Sequence, residues 1–353
     1  MDISDLSIKL VHLKKKGKVL DVASFGETKL KPGLVEKGEV KDEKGLAEAI
    51  KSAAKQVKGE KLSTNYAIVG LPEEKTFSEV IQMPKIKEEE LRRAVYFEAE
   101  NHIPLPIEQV YLDFQVVEPL KNHLDHIDVL LSAIPKTIAD AYVNAVKKAG
   151  LRPLALESES QAVARALIKD NTTSSPVLIV DLGALRTGFT VFSGRSLRFT
   201  SSIPISCHEI TAAIARALSI DIEKVAALNA RFDIKEKDKD GDGRKIFEAL
   251  VPVFTDLLEQ IKKCIEYYQT HSHHEHLADG KKMGKIYLCG GWANITKDLT
   301  GFLAQELKIP VELADPWVNV APGKNDRSGS LLGQEQCLSY VTALGLALRG
   351  IRQ

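Results

Sequence analysis

The chain has 353 residues, which at roughly 100–200 residues per domain predicts two or three domains and rules out a single small module. Lys plus Arg and Asp plus Glu both number 48, so the formal net charge is zero and no global positive field draws the protein to nucleic acid or to an anionic bilayer. Apolar residues at 44% and charged residues at 27% are ordinary globular values, and no run approaches the ~20 consecutive apolar residues that cross a membrane.

From the start of the chain, Asp2-Ile-Ser-Asp-Leu-Ser-Ile-Lys-Leu-Val-His-Leu13 reads as a strand end, a polar turn and a second strand. Lys14–Gly17 is the next turn and Val19–Phe25 a third strand, so the chain opens on a β-meander. Gly45–Val57 carries apolar residues at helical spacing, and Tyr66–Pro72 is a buried strand stopped by proline. The pattern changes after Met83-Pro84. Lys87–His102 is a charged helix, Val110–Val117 and His126–Ile134 are strands, Thr137–Ala149 is a helix ended by Gly150, and Arg152–Leu156 is a strand. This αββαβ segment has its own apolar pattern and reads as an inserted small domain.

After the polar linker Asn171–Pro176, residues 177–192 again read strand, turn, strand, and Leu197–Ile203 completes a second meander. Helices are expected near His208–Leu218, Glu223–Asn229 and Ile246–Tyr268, the last with apolar residues at a 3.6-residue period. Lys285–Leu288 is a strand running into Gly290-Gly291, followed by helices at Thr296–Leu307 and near Leu338–Leu348.

The two meanders align with each other, Asp2 on Asp181 and Leu6 on Leu185, which suggests a duplicated architecture. An acid at the end of a buried strand, followed by a tight polar turn, suits a phosphate site. Backbone N–H groups and the hydroxyls of Ser4, Ser7 and Thr187 can point at phosphate oxygens, while Asp2 and Asp181 orient Mg²⁺, mostly through water. Lys9 supplies a positive charge from one hairpin and Arg186 from the other. The buried strand before Gly290-Gly291 ends just ahead of a helix, and glycine there lets backbone approach a flat ring or a phosphate.

Strand-Asp-hairpin, a second Asp-Leu-Gly-x-x-x-Thr-Gly hairpin and a strand-Gly-Gly-x-Ala turn resemble the two phosphate motifs and the adenosine motif of the actin, sugar-kinase and heat-shock-chaperone ATPase superfamily. Within it, Leu91–Gln115 closely resembles the matching stretch of the PilM family of type IV pilus assembly proteins, relatives of the cell-division protein FtsA. Leu156–Arg165 and Tyr340–Leu348 resemble the two connecting helices of that family. The resemblance implies a duplicated actin-like (ribonuclease-H-like) α/β fold, with two lobes around a nucleotide cleft and an inserted FtsA-like 1C subdomain. On that frame residues 1–83 and 152–175 form the first lobe's core (1A) around an insertion at 84–151 (1C). Residues 176–207 and 285–335 form the second lobe's core (2A), 208–284 a helical subdomain (2B), and 336–353 a connecting helix that returns to the first lobe.

Carried over residue by residue, Asp2, Ser4, Asp5, Ser7 and Lys9 fall in the first phosphate motif, Asp181, Gly183, Arg186 and Thr187 in the second, and Gly290, Gly291 and Ala293 in the adenosine motif. Glu259, Lys262 and Lys263 on the long helix flank the adenine and ribose by analogy with the wider superfamily. Glu157 and Glu159 lie where some relatives place a water-activating side chain; no catalytic residue is assigned, and turnover of ATP is left open. The implied protein is a cytoplasmic scaffold that binds ATP and Mg²⁺ and docks the short cytoplasmic N-terminus of the bitopic membrane protein PilN. It thereby sits in the type IV pilus inner-membrane complex and reaches the membrane only through partners, with self-association left open. Relatives carry several residues before the first aspartate; here Met1 alone precedes Asp2, so a short first strand or a trimmed chain is expected.

Other motifs read as ordinary surface. Asp238-Lys-Asp-Gly-Asp-Gly243 begins like a calcium loop but has Ala249 where a bidentate acid is required. The run His271-Ser-His-His-Glu-His276 lacks metal-ligand spacing, and Cys207, Cys264, Cys289 and Cys337 form no paired motif. Two alternatives stand beside the scaffold: a small-molecule kinase of the same superfamily, which needs an Asp base between the lobes, and an FtsA-like polymerising filament protein, which needs a C-terminal amphipathic membrane helix.

Overall fold

The computed structural model describes residues 1–17, 19–117, 125–227, 232–233, 242–271, 280–293, 296–297, 299–320 and 331–352. The chain begins with the expected meander, β1 (Asp2–Ile3), β2 (Ser7–Lys16) and β3 (Val19–Lys29), paired antiparallel in that order. The first strand is indeed only two residues long. A small hairpin, β4 (Val35–Glu36) and β5 (Glu39–Val40), leads into α1 (Glu43–Lys55). Asp42 caps α1 by accepting from the Lys44 and Gly45 amides, and the helix buries Leu46, Ala47, Ile50 and Ala53 on one side. β6 (Lys58–Gly59) then pairs with β3, and β7 (Tyr66–Leu71) enters the sheet beside β1. The Met1 ammonium donates to the Ile68 carbonyl at 2.7 Å, and the Gly70 amide donates to the Met1 carbonyl at 2.9 Å.

The insertion contains β8 (Phe77–Pro84), α2 (Glu88–Ala99), β9 (Val110–Val117) and β10 (His126–Pro135), with an antiparallel sheet in the order β8-β10-β9. Its pleat separates two apolar faces. Val129, Leu131 and Ala133 of β10 pack with Val95 and Ala99 of α2, while Leu130, with Val80 and Val117, joins the large core that continues into the second lobe. The boundaries differ from 84 and 151. The insertion's sheet already starts at Phe77, because β8 supplies an outer strand along most of β10. It ends near Pro135, because α3 (Lys136–Lys148) buries Ala139, Tyr142, Ala145 and Val146 in the first-lobe core with Leu46 and Ile50. β11 (Arg152–Ser158) pairs in parallel with β7, which gives the first lobe the strand order β3-β2-β1-β7-β11, and α4 (Glu159–Leu167) follows directly.

In the second lobe β12 (Val177–Leu182), β13 (Thr187–Ser193) and β14 (Ser196–Ile203) form the second meander. It is followed by α5 (Cys207–Leu218), α6 (Ile222–Ala227), β15 (Phe232–Asp233) and α7 (Asp242–His271). β16 (Lys285–Cys289), β17 (Thr296–Lys297), α8 (Leu299–Leu307) and β18 (Val311–Leu313) follow. The helix expected from Thr296 starts instead at Leu299, since Thr296 and Lys297 pair with β15. The main sheet runs β14-β13-β12-β16-β18, with β12, β16 and β18 parallel. This is the same order as in the first lobe, so the aligned meanders are the visible part of a true duplication. α9 (Gln334–Cys337) and α10 (Val341–Arg352) close the chain, and α10 crosses α4 between the lobes. Among the described residues no helix is long and apolar enough to cross a membrane. Most of the aborted calcium loop and of the His-rich run lies outside the described residues.

Candidate functional site

The duplication brings the ends of β1 and β12 together, and with them Asp2 and Asp181. Each carboxyl is held above the usual range, first by burial. For Asp2 the opposing charges are Lys9, which faces it across the β1–β2 ladder, and the Met1 ammonium. For Asp181 the nearby Asp2 charge adds to burial and lifts the carboxyl from 3.8 to about 6, against Lys9 and a hydrogen bond from the Cys289 thiol. Glu159, at the start of α4, is pushed well above its ordinary value by burial and then by Asp2, Glu73, Glu74 and Asp181. Glu73, raised by burial, accepts from the Ser160 amide at 3.1 Å and from the Thr200 hydroxyl of the second lobe. Asp2, Asp181, Glu159 and Glu73 are thus buried carboxyls, with Lys9 opposing the charge of the two aspartates. Among the described residues no group of three or more His, Cys, Asp or Glu side chains is placed to hold a metal ion directly, so the two aspartates fit a divalent cation that keeps most of its water.

The other hairpin residues are placed differently from the expected phosphate cradle. Ser4 closes its own turn: its hydroxyl accepts from the Ser7 amide at 3.1 Å and from the Leu6 amide at 3.4 Å, so two N–H groups are already engaged. Asp5 turns away and accepts from the Lys37 and Gly38 amides at 2.6 and 3.0 Å, anchoring the β4–β5 hairpin. Thr187 is fully buried and its hydroxyl donates to the Ile205 carbonyl at 2.8 Å, which makes it a strand-end tie. Gly183 donates to the Asp181 and Arg186 carbonyls, and the Arg186 guanidinium is bonded to Ser202 at 3.1 Å. Lys9 lies 4.0 Å from Glu27 and over the ring of Tyr340.

At the third turn the two glycines have different reasons. Gly290 has φ +94°, and a Cβ there would sit 2.4 Å from the Leu182 carbonyl and 2.5 Å from Asp181 Oδ1. It is needed for packing against the second hairpin. Gly291 is exposed, with only Ser339 at van der Waals distance, and is the glycine open to a ligand. Ala293 is buried. Trp292, which sequence reasoning passed over, is buried and its indole N–H donates to the Gly183 carbonyl at 2.8 Å, tying the third turn to the second. Glu73 was missed as well, since a glutamate in a short turn after a proline carries no local signal.

Among the described residues, Glu259, Lys262 and Lys263 make no contact with these buried carboxyls. They lie on the exposed side of α7, where Glu259 and Lys262 pair at 3.0 Å. Helical spacing alone puts them there, because Leu257, Leu258, Ile261 and Cys264 take the buried side. The neighbouring acids Glu157 and Glu159 also separate: Glu157 is buried and paired with Arg165 and, at 3.1 Å, with Arg349, so it is structural.

Two lobes of equal strand order, joined by crossing helices and carrying an acid at the end of each first strand, define a protein of actin-like fold. Within that class the chain belongs to the type IV pilus assembly protein PilM family, whose model matches residues 1–351. It is 26% identical to a chain in the solved PilM–PilN type IV pilus biogenesis complex, covering 99% of this chain and 97% of that one at a TM-score of 0.77. The ethanolamine utilization protein EutJ from Carboxydothermus hydrogenoformans is similar at 18% identity and a TM-score of 0.54, over 98% of this chain and 87% of that one. MreB5 of Spiroplasma citri bound to ADP is similar at 10% identity and a TM-score of 0.54, over 98% and 97%. The last two share the fold.

Proposed function

We propose that this protein binds ATP with Mg²⁺ between its lobes and docks the N-terminal peptide of PilN in a groove beside the insertion, as a scaffold of the pilus inner-membrane complex. The observation that carries the docking reading is a groove of about 540 Å³ between the insertion's sheet, β11, α4 and the β13–β14 hairpin. Its outer wall is β9, an edge strand in the order β8-β10-β9, whose free backbone edge suits an extended peptide. The family relative solved as a PilM–PilN complex supports PilN as the source of that peptide. Membrane attachment then comes through the partner.

For the nucleotide, Asp2 and Asp181 are the residues that would hold Mg²⁺ and its waters, with Lys9 and the exposed turn at Gly291 beside it. The cation, when bound, supplies positive charge that relieves the mutual repulsion of the carboxylates. Without it, burial and the neighbouring carboxylates disfavour the charged form of Glu159, which opposes a role as general base. Calorimetry tests both parts. Mg-ATP is expected to bind wild type in the micromolar range, about −8 kcal/mol, and Asp181→Ala to abolish binding. A PilN N-terminal peptide is expected to bind wild type and to fail with Ser132→Trp, which fills the groove; undiminished affinity in either variant refutes the corresponding assignment.

A further inference from the structure

The groove is not built by the first lobe and its insertion alone. Phe192, Arg195, Ser196 and Leu197 of the second lobe form one of its walls. That wall is held where β14 meets the insertion's sheet, and there Arg198 Nη1 donates to Asp128 Oδ2 at 3.0 Å. Both side chains are almost wholly covered, at 6% and 4% exposure. Asp128 lies on the same face of β10 as Leu130 and Ser132. Leu130 packs into the second-lobe core, and Ser132 accepts from Gln161 of α4 at 2.7 Å. His126 approaches Asp128 at 3.6 Å and Gln82 at 3.0 Å, so the carboxylate sits in a polar girdle at the rim of an apolar contact.

A buried ion pair contributes little net stability, because desolvation offsets the attraction, but it strongly penalises arrangements in which the partners separate inside the protein. We propose that Asp128 and Arg198 are a latch that sets the second-lobe wall onto the docking groove. The groove is therefore complete only when the lobes stand as they do here, and peptide binding and latch closure favour one another. Asp128 and Arg198 are positioning residues in this scheme and touch no peptide. The inference rests on the docking reading and adds to it that the extended peptide is gripped by both lobes, so that any lobe movement opens its site.

The test uses the full chain, a fluorescently labelled PilN N-terminal peptide and amide hydrogen exchange. Arg198→Met is expected to weaken peptide binding at least tenfold and to speed exchange in β10 and β14 at least tenfold. The double variant Asp128→Leu with Arg198→Met, which continues the apolar contact of Leu130 and Val80, is expected to return affinity to within threefold of wild type. Unchanged affinity in Arg198→Met, or faster exchange with no loss of affinity, overturns the latch. If Arg198→Met does not fold, Arg198→Lys takes its place with an expected three- to tenfold weakening, and wild-type affinity there overturns it equally. Failure of wild type itself to bind the peptide overturns the docking reading, and this proposal falls with it. Binding by wild type and by all variants alike overturns the latch alone.

Discussion

Gly345 of α10 crosses Ala162 of α4 so closely that a Cβ on the glycine would lie 1.8 Å from the Ala162 carbonyl oxygen. The two helices joining the lobes therefore meet backbone to backbone, and no side chain fits between them. Gly345→Ala must push α10 away from a core that includes Ala343, Leu344 and Leu348. Overpacking of this kind costs about 1–3 kcal/mol and more where the neighbour is backbone. Urea unfolding of the variant is expected at the upper end of that range, with part of the material failing to fold.

Glu157 and Glu159, one residue apart across Ser158, are acids with opposite prospects. Removing the Glu157 carboxylate leaves Arg165 and Arg349 without their shared partner, so Glu157→Ala is expected to cost about 3–5 kcal/mol. Removing Glu159 relieves a repelled cluster, and Glu159→Gln is expected to raise the melting temperature of the nucleotide-free protein at pH 7–8. Thermal melts of the two variants side by side read the difference in sign.

The raised carboxyl of Asp181 makes nucleotide-free stability pH-dependent. Because the folded value, about 6, exceeds the ordinary 3.8, its contribution is fully present below 3.8 and is lost as pH rises through 6. Two pH units correspond to about 3 kcal/mol as an upper figure. Asp181→Asn is expected to flatten the fall in stability between pH 4 and 6.5, and Mg²⁺ to recover part of it at pH 7.5 in wild type but not in the variant. Denaturant titrations across that window measure both.

Asn319 of the second lobe caps the C-terminus of α4. Its amide nitrogen donates to the carbonyls of Arg165 at 2.9 Å and Ile168 at 2.7 Å, and its oxygen accepts from the Asp170 amide at 3.1 Å. The Arg165 carbonyl lies in the last turn of α4, where carbonyls run out of intrahelical partners, while the Ile168 carbonyl also accepts from the Asn171 amide at 3.1 Å. Asn319→Ala is expected to cost about 2 kcal/mol in urea unfolding, and Asn319→Asp nearly as much, since a carboxylate cannot donate.

The sequence by itself determined most of the elements and their pairing in the two meanders, because periodicity records which side of each segment is buried. The strand Val110–Val117 and the helix ending at Leu218 are found where their patterns put them. It also singled out Asp2 and Asp181 as counterparts, since a duplicated fold leaves duplicated strand ends. Only the tertiary structure decided which polar groups are already spent. Ser4, Asp5 and Thr187 look alike in a motif, yet each is consumed by a partner outside it or within its own turn. The same holds for the insertion, whose first strand belongs to a sheet closed some fifty residues later, and for Arg198, which meets Asp128 from the other lobe. Burial patterns are local and repeat along the chain; hydrogen-bond and charge partners depend on which distant segments arrive at the same place, and that arrival is settled only when the two lobes pack.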